Sequence, residues 1–129
     1  MNKVTIVGSL NVDTTLRIKR MPLPGETLAA EGKSSAAGGK GANQAVSAAR
    51  SGAQTAFIGE VGKDNSGQMM LDEMKANGID VAGIRENDQV GTGTASILLD
   101  ENGQNSILIY GGANQQLSPT DVEAAKDKI

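Results

Sequence analysis

Three glycines in four positions around a lysine, followed at once by an alanine-rich helical pattern, do most to narrow the folds open to this chain. The stretch is SSAAGGKGANQAVSAARSG, residues 34–52. Ala42, Ala45, Val46 and Ala49 recur at i, i+3, i+4 and i+7, and Gly52 stands where a left-handed cap ends a helix. A helix this narrow can lie close against a sheet. Gly38, Gly39 and Gly41 permit a tight turn before it and let a ligand approach backbone amides with no Cβ in the way. The helix in turn leaves its first N–H groups unpaired and gives them partial positive charge. Two readings stay open: a terminus that receives anionic or hydroxyl oxygens, and a plain strand-to-helix connection.

Neither common nucleotide cradle accounts for the loop. A Walker A loop needs G-x-x-x-x-G-K-[ST], but Lys40 is followed by Gly41, and Ser34 stands where the first glycine belongs. A dinucleotide fingerprint needs G-x-G-x-x-G after the first strand, and GSLNVD supplies one glycine.

Strand and helix patterns alternate along the remainder. KVTIVGS, residues 3–9, is a β-branched run of the kind buried on both faces of a parallel sheet. DTTLRIKR is a second extended piece, Pro24-Gly25 predicts a type II turn, and Thr27 to Ala36 forms a third, weakly patterned piece. QTAFIGEVG is another buried strand. Asp64, Asn65 and Ser66 offer N-caps for a helix running to Asn77, with Gly78 as its stop. Met70, Leu71 and Met74 lie on its inner face, and Met69 is grouped with Met70 and Met74 as core filler. TASILLDENGQNSILIY reads as two apolar runs joined around Asn102-Gly103, and Ser118, Pro119 and Asp121 open a final helix with a capping box.

Alternating β and α elements predict an α/β fold: a Rossmann-like, mainly parallel sheet with flanking helices. The consecutive extended pieces, within about 12–36 and 91–110, depart from that scheme and read as a separate small sheet. The chain stops at Ile129 inside its best-capped helix, so the expectation is an amino-terminal portion of something longer.

Composition removes whole classes of chemistry. The chain has no cysteine and no histidine, which leaves out disulfides, thiolate metal sites and the commonest general base. Twelve Lys and Arg against fifteen Asp and Glu, a net charge of −3, advertise no nucleic-acid or membrane surface. The apolar runs SILL and ILIY are far shorter than a membrane span, and Met1 leads straight into a strand pattern, so a cytoplasmic location is expected. Carboxylates, lysines, hydroxyls and backbone amides must do whatever chemistry there is.

Against this background GGKGANQAVSAARSG, continuing to Gly62, resembles the first signature of the ribokinase-type (phosphofructokinase-B) sugar kinases. VGSLNVD at residues 7–13, PLPGET at 22–27 and GGANQQLSP at 111–119 add ordered matches at family spacing, from end to end of the chain. Within the family the uninterrupted GGKGANQA with GSLNVD upstream is more similar to the ribose-phosphorylating members than to the nucleoside and fructose kinases, which stay as alternatives.

The resemblance implies transfer of phosphate from ATP, with Mg2+, to the primary hydroxyl of a pentose such as D-ribose, under a small β lid. It implies that Asp13, Gly38, Gly39, Lys40 and Asn43 bind the sugar, and that Ala95 and Ile97 of the lid pack against it. A carboxylate can accept two vicinal hydroxyl protons, and an asparagine can read a hydroxyl as donor or acceptor. Taken singly, Asp13 is equally a turn former, Asn43 a helix cap and Lys40 a solvated charge. The resemblance also implies a homodimer through the lid. Its second glycine-rich motif, Gly-Ala-Gly-Asp, with the catalytic base and the ATP site, and a further sugar-binding carboxylate, are expected beyond Ile129. No catalytic residue, ATP site or metal site is expected within the chain itself. A non-catalytic sugar-binding or dimerisation module and a partner-binding scaffold are the readings from other classes.

Overall fold

A computed structural model describes residues 2–129 and divides their strands between two sheets. The first is a parallel sheet in the order β1-β4-β5, built from β1 (Lys3–Val7), β4 (Gln54–Gly62) and β5 (Asp80–Asn87). The second is a mixed sheet in the order β3-β2-β6-β7, built from β2 (Asn11–Arg17), β3 (Gly32–Gly38), β6 (Gly93–Leu99) and β7 (Asn105–Tyr110). In it β2 runs antiparallel to β3 and parallel to β6, and β7 closes a hairpin on β6.

Two helices cover the parallel sheet. α1 (Lys40–Arg50) and α2 (Asn65–Ala76) turn Ala42, Ala45, Met70, Leu71 and Met74 onto Phe57 and Val61 of β4, and Leu10 and Val12 extend this core into the second sheet. Leu10, Ala45, Phe57, Val61 and Met70 are fully buried, which for side chains of this size stabilises the fold by about 1.5–3 kcal/mol each for the larger ones. Met69, expected in the core, lies at its edge and is 36% exposed, because the helical repeat that buries positions 70, 71 and 74 turns 69 outward.

Local signals are obeyed closely. Asp64 caps α2 by accepting from Gly67 N–H at 2.8 Å, and Ser118 and Asp121 form a capping box on α3 (Pro119–Ala124). Gly25 has φ +78° and Glu26 N–H bonds Leu23 C=O at 3.0 Å, the expected type II turn. Arg20 grips both oxygens of Glu26 at 2.7 Å; these bonds, with the Leu23 N–H, lower the Glu26 carboxyl to about 2.

Three readings need correction. β1 is half-buried rather than covered on both faces, and Val7 is 49% exposed; among the described residues β1 is an edge strand, paired with β4 alone. The extended piece from Thr27 is a strand only from Gly32. β5 is a strand that the pattern did not announce: Gly83 interrupts it, yet Gly83 is required there, because a Cβ would stand 2.8 Å from Phe57 O at a register shift in β4.

Candidate functional site

The candidate site lies on one face of the mixed sheet, where β3 runs into α1. Residues alternate across a strand, so Asn11, Asp13 and Thr15 share a face of β2. In register beside them stand Gly38 and Ala36 of β3 and Gly93, Ala95 and Ile97 of β6. Asp13 is paired with Ala36 on one side and Ala95 on the other, so the only large polar group in that row is its own carboxylate.

Glycine 38 makes the space for it. A Cβ there would collide with Asp13 Oδ2 and come within 2.6 Å of Cγ and 2.8 Å of Oδ1. The half-buried carboxylate makes no hydrogen bond or ion pair among the described residues, and burial raises its carboxyl above the ordinary carboxylate range. A partly desolvated, unpartnered acceptor of this kind suits a ligand that brings its own hydroxyl donors.

Gly39 is the N-cap of α1 and provides no side-chain cap. Its φ of +98° belongs to glycine, and a Cβ would stand 2.8 Å from Ser9 O. Gly41 is equally tight, with a Cβ 2.8 Å from Ser9 N, so α1 starts directly on the β1–β2 loop and Ala42 N–H bonds Ser9 C=O at 3.1 Å. Asp13, Gly38 and Ala95 are thus brought together, with Ile97 one pair further along the same face and Gly39 set against Ser9 and Asn11 where α1 begins.

Lys40 and Asn43 stand on the first turn of α1, both exposed. Neither side chain makes a hydrogen bond or ion pair among the described residues. Asn43 does not cap its helix. It lines a groove of about 240 Å³ between α1 and α2, with Ala37, Arg50, Glu73 and Met74.

Asn11 and Asn114 are site neighbours that the sequence reading did not single out. Asn11 precedes Asp13 by two residues on the same face, and Asn114, in the 3-10 turn Gly112–Gln116, donates to Asn11 Oδ1 at 2.7 Å. The quoted GGANQQLSP contains Asn114, but nothing local in that string indicates a partner more than a hundred residues away.

A second cluster fixes β6. Asp64 accepts from the Thr92 N–H at 3.0 Å and the Thr92 hydroxyl at 2.6 Å, and Thr92 Oγ1 accepts from Gly62 N–H at 2.8 Å. Burial opposes ionisation of Asp64, but the bonds from Thr92 and Gly67 outweigh it and hold the carboxyl below the usual range. This ties the end of β4, the start of α2 and the start of β6 together, which sets where Ala95 and Ile97 stand.

No group of three or more His, Cys, Asp or Glu side chains that could hold a metal ion occurs among the described residues. No helix among them is long and apolar enough to cross a membrane.

Residues 1–129 match the pfkB family of carbohydrate kinases. The chain is 48% identical over 130 residues to the bifunctional ribokinase/ribose-5-phosphate isomerase A of Fructilactobacillus sanfranciscensis, covering 100% of this chain and 24% of that protein. It is 46% identical to the ribokinase of Staphylococcus aureus, covering 99% of this chain and 42% of the relative. The structure of Arabidopsis thaliana ribokinase complexed with ribose and ATP superposes with a TM-score of 0.85 at 36% identity, over 98% of this chain and 42% of that one. The chain therefore spans less than half the length of each of these relatives. The parallel sheet with its separate mixed sheet is the arrangement of these ribokinase-like structures.

Proposed function

The chain belongs to the pfkB family of carbohydrate kinases, and from that premise we propose that the protein carrying it phosphorylates the primary hydroxyl of D-ribose with ATP, giving ribose 5-phosphate. The observation that carries the choice of a neutral polyol is the Asp13 carboxylate, half-buried, unpartnered among the described residues and seated against Gly38. The relatives named ribokinase, at 46% and 48% identity, and the structural neighbour holding ribose and ATP support ribose over other sugars.

In this reading Asp13 accepts two vicinal hydroxyl protons, and the Gly39 amide, Lys40 and Asn43 donate to sugar oxygens. Gly38 keeps the floor open, and Ala95 and Ile97 cover the apolar side of the ring. The clamp holds the primary hydroxyl in line with the terminal phosphorus of ATP. The hydroxyl oxygen forms the new P–O bond, the bond to the departing ADP oxygen breaks, and the hydroxyl proton passes to a base. Positioning supplies most of the acceleration in such a transfer. Among the described residues no group of three or more His, Cys, Asp or Glu that could hold a metal ion occurs. We assign ATP, its Mg2+ and the base to parts of the polypeptide outside residues 1–129, as the greater length of the relatives suggests.

The mixed sheet serves in this reading as a lid, with strands within 12–36 and 91–110. β7 exposes Ile107, Leu108, Ile109 and Tyr110 at 50–74%, on both of its faces and at the sheet edge. An apolar edge of this kind is ordinarily covered, and a second copy of the lid covers it in a homodimer.

The test is differential scanning fluorimetry and ADP release with the intact gene product. Ribose raises the melting temperature and drives ADP production, with fructose and adenosine weaker. Asp13→Ala loses most of the ribose shift, since removing one partner of a charge-assisted hydrogen bond costs roughly 1.5–3 kcal/mol. A ribose shift absent from the unaltered protein overturns the reading.

A further inference from the structure

Asn114 makes three side-chain hydrogen bonds to a segment 103–104 residues away. Its Oδ1 accepts from Leu10 N–H at 2.9 Å, and its Nδ2 donates to Leu10 C=O at 3.1 Å and to Asn11 Oδ1 at 2.7 Å. Both protons of the amide and one acceptor position are used, so its orientation is determined. Turned over, it would set an oxygen against two acceptors and an NH2 against a donor.

Asn11 inherits that determination. Because its Oδ1 is taken, the atom left for a ligand is Nδ2, which has no partner among the described residues. The contact needs Gly93: a Cβ there would collide with Asn114 Nδ2 and stand 2.5 Å from Asn11 Oδ1 and 2.9 Å from Gly111 O. The turn that carries Asn114 is held from below by Ala113 N–H on Gly91 C=O at 2.8 Å. A donor at Asn11 and an acceptor at Asp13, two residues apart on one strand face, can be read together by a single polyol.

We propose that Asn114 is a positioning residue of the sugar site, anchoring the start of β2 through Leu10 and turning the Asn11 amide so that its NH2 faces the ligand beside Asp13. The inference rests on the sugar reading above. It places part of the specificity of the site in the 3-10 turn Gly112–Gln116, outside the strand face that carries Asp13.

The decisive variant is Asn114→Asp in the intact gene product. The side chain keeps its shape and its acceptor for Leu10 N–H, but sets an oxygen where Nδ2 donated to Leu10 C=O and to Asn11 Oδ1. Asn11 then turns its NH2 inward and its oxygen toward the ligand. The KM for ribose is expected to rise about tenfold with the KM for ATP unchanged. In an Asn11→Ala background the same substitution is expected to raise the ribose KM by much less than tenfold, the remainder reflecting the lost bond to Leu10 C=O. An unchanged ribose KM, equal rises in both KM values, or the full effect persisting without Asn11 overturns the proposal. Should Asn114→Asp fail to fold, Asn11→Ala alone, which leaves both bonds to Leu10 in place, decides: a rise in ribose KM of about tenfold supports the proposal and no rise overturns it. Asp13→Ala in the same assay separates the two levels. If it leaves the ribose KM unaltered, the sugar reading falls and this inference with it; if it raises the ribose KM while Asn114→Asp does not, this inference falls alone.

Discussion

The Asp13 carboxylate occupies the space that a side chain on Gly38 would need: a Cβ at Gly38 would lie 2.6 Å from Cγ and 2.8 Å from Oδ1 of Asp13. The glycine is therefore present for volume, and its φ lies outside the left-handed region. Its neighbour Gly39, at φ +98°, is present for conformation. Two adjacent glycines thus do different work, one seating the carboxylate and the other starting α1.

Gly38→Ala separates these roles. Alanine is compatible with the backbone at Gly38, so the fold is retained at an overpacking cost of about 1–3 kcal/mol, while the carboxylate is pushed from its seat. Ribose affinity measured by isothermal titration calorimetry is expected to drop at least about tenfold, a loss worth ~1.4 kcal/mol. Unchanged affinity would show that the seat does not matter.

Asp13→Asn tests the charge. Burial raises the Asp13 carboxyl, so the folded protein holds that proton more tightly than the unfolded chain does. Its contribution to stability is therefore greatest at low pH and is lost as pH rises through the carboxylate range to the raised value. At neutral pH the amide is expected to raise the melting temperature slightly and to abolish the ribose shift. In the unaltered protein, ribose affinity is expected to weaken on acidification toward that raised value. Scanning fluorimetry with and without ribose, from neutral to mildly acidic pH, reads both effects, and a melting temperature lowered by the amide would contradict the account.

Asp64→Ala removes an N-cap and the anchor of Thr92 together. Loss of the cap alone costs about 0.5–2 kcal/mol in urea denaturation at neutral pH. The sign of the pH dependence is opposite to that of Asp13. The Asp64 carboxyl is depressed, so its contribution is present above the unfolded carboxylate range and is lost as pH falls through the lower folded value. The stability gap between the unaltered protein and Asp64→Ala should accordingly narrow in acid; a constant gap would assign the loss to packing.

Leu108→Lys with Ile109→Lys tests the lid edge. These residues are 72% and 74% exposed on opposite faces of β7. Light scattering on the intact gene product is expected to give a dimer for the unaltered sequence and a monomer for the double variant. A monomer in both, or a dimer in both, would reject β7 as the contact.

What could be seen in the sequence was whatever is decided within a few residues. The α1 pattern, the Asp64 cap, the Ser118–Asp121 capping box and the Pro24-Gly25 turn depend on neighbours three or four positions away, and each stands where its spacing placed it. The motif resemblance led to Asp13, Gly38 and Ala95 as candidates, and the sheet puts Asp13 beside Ala95 and seats its carboxylate against Gly38. Only the tertiary structure decided how the strands are shared between sheets, that β5 is a strand despite Gly83, and that β2 lies parallel to β6. It also decided that Gly38 is shaped by Asp13 and that Asn114 reaches back to Leu10 and Asn11. The physical reason is range: helix caps and turns are closed by local hydrogen bonds, whereas strand pairing and side-chain seats are chosen among partners tens to a hundred residues apart, by which arrangement buries the apolar faces and leaves the fewest polar groups unpaired.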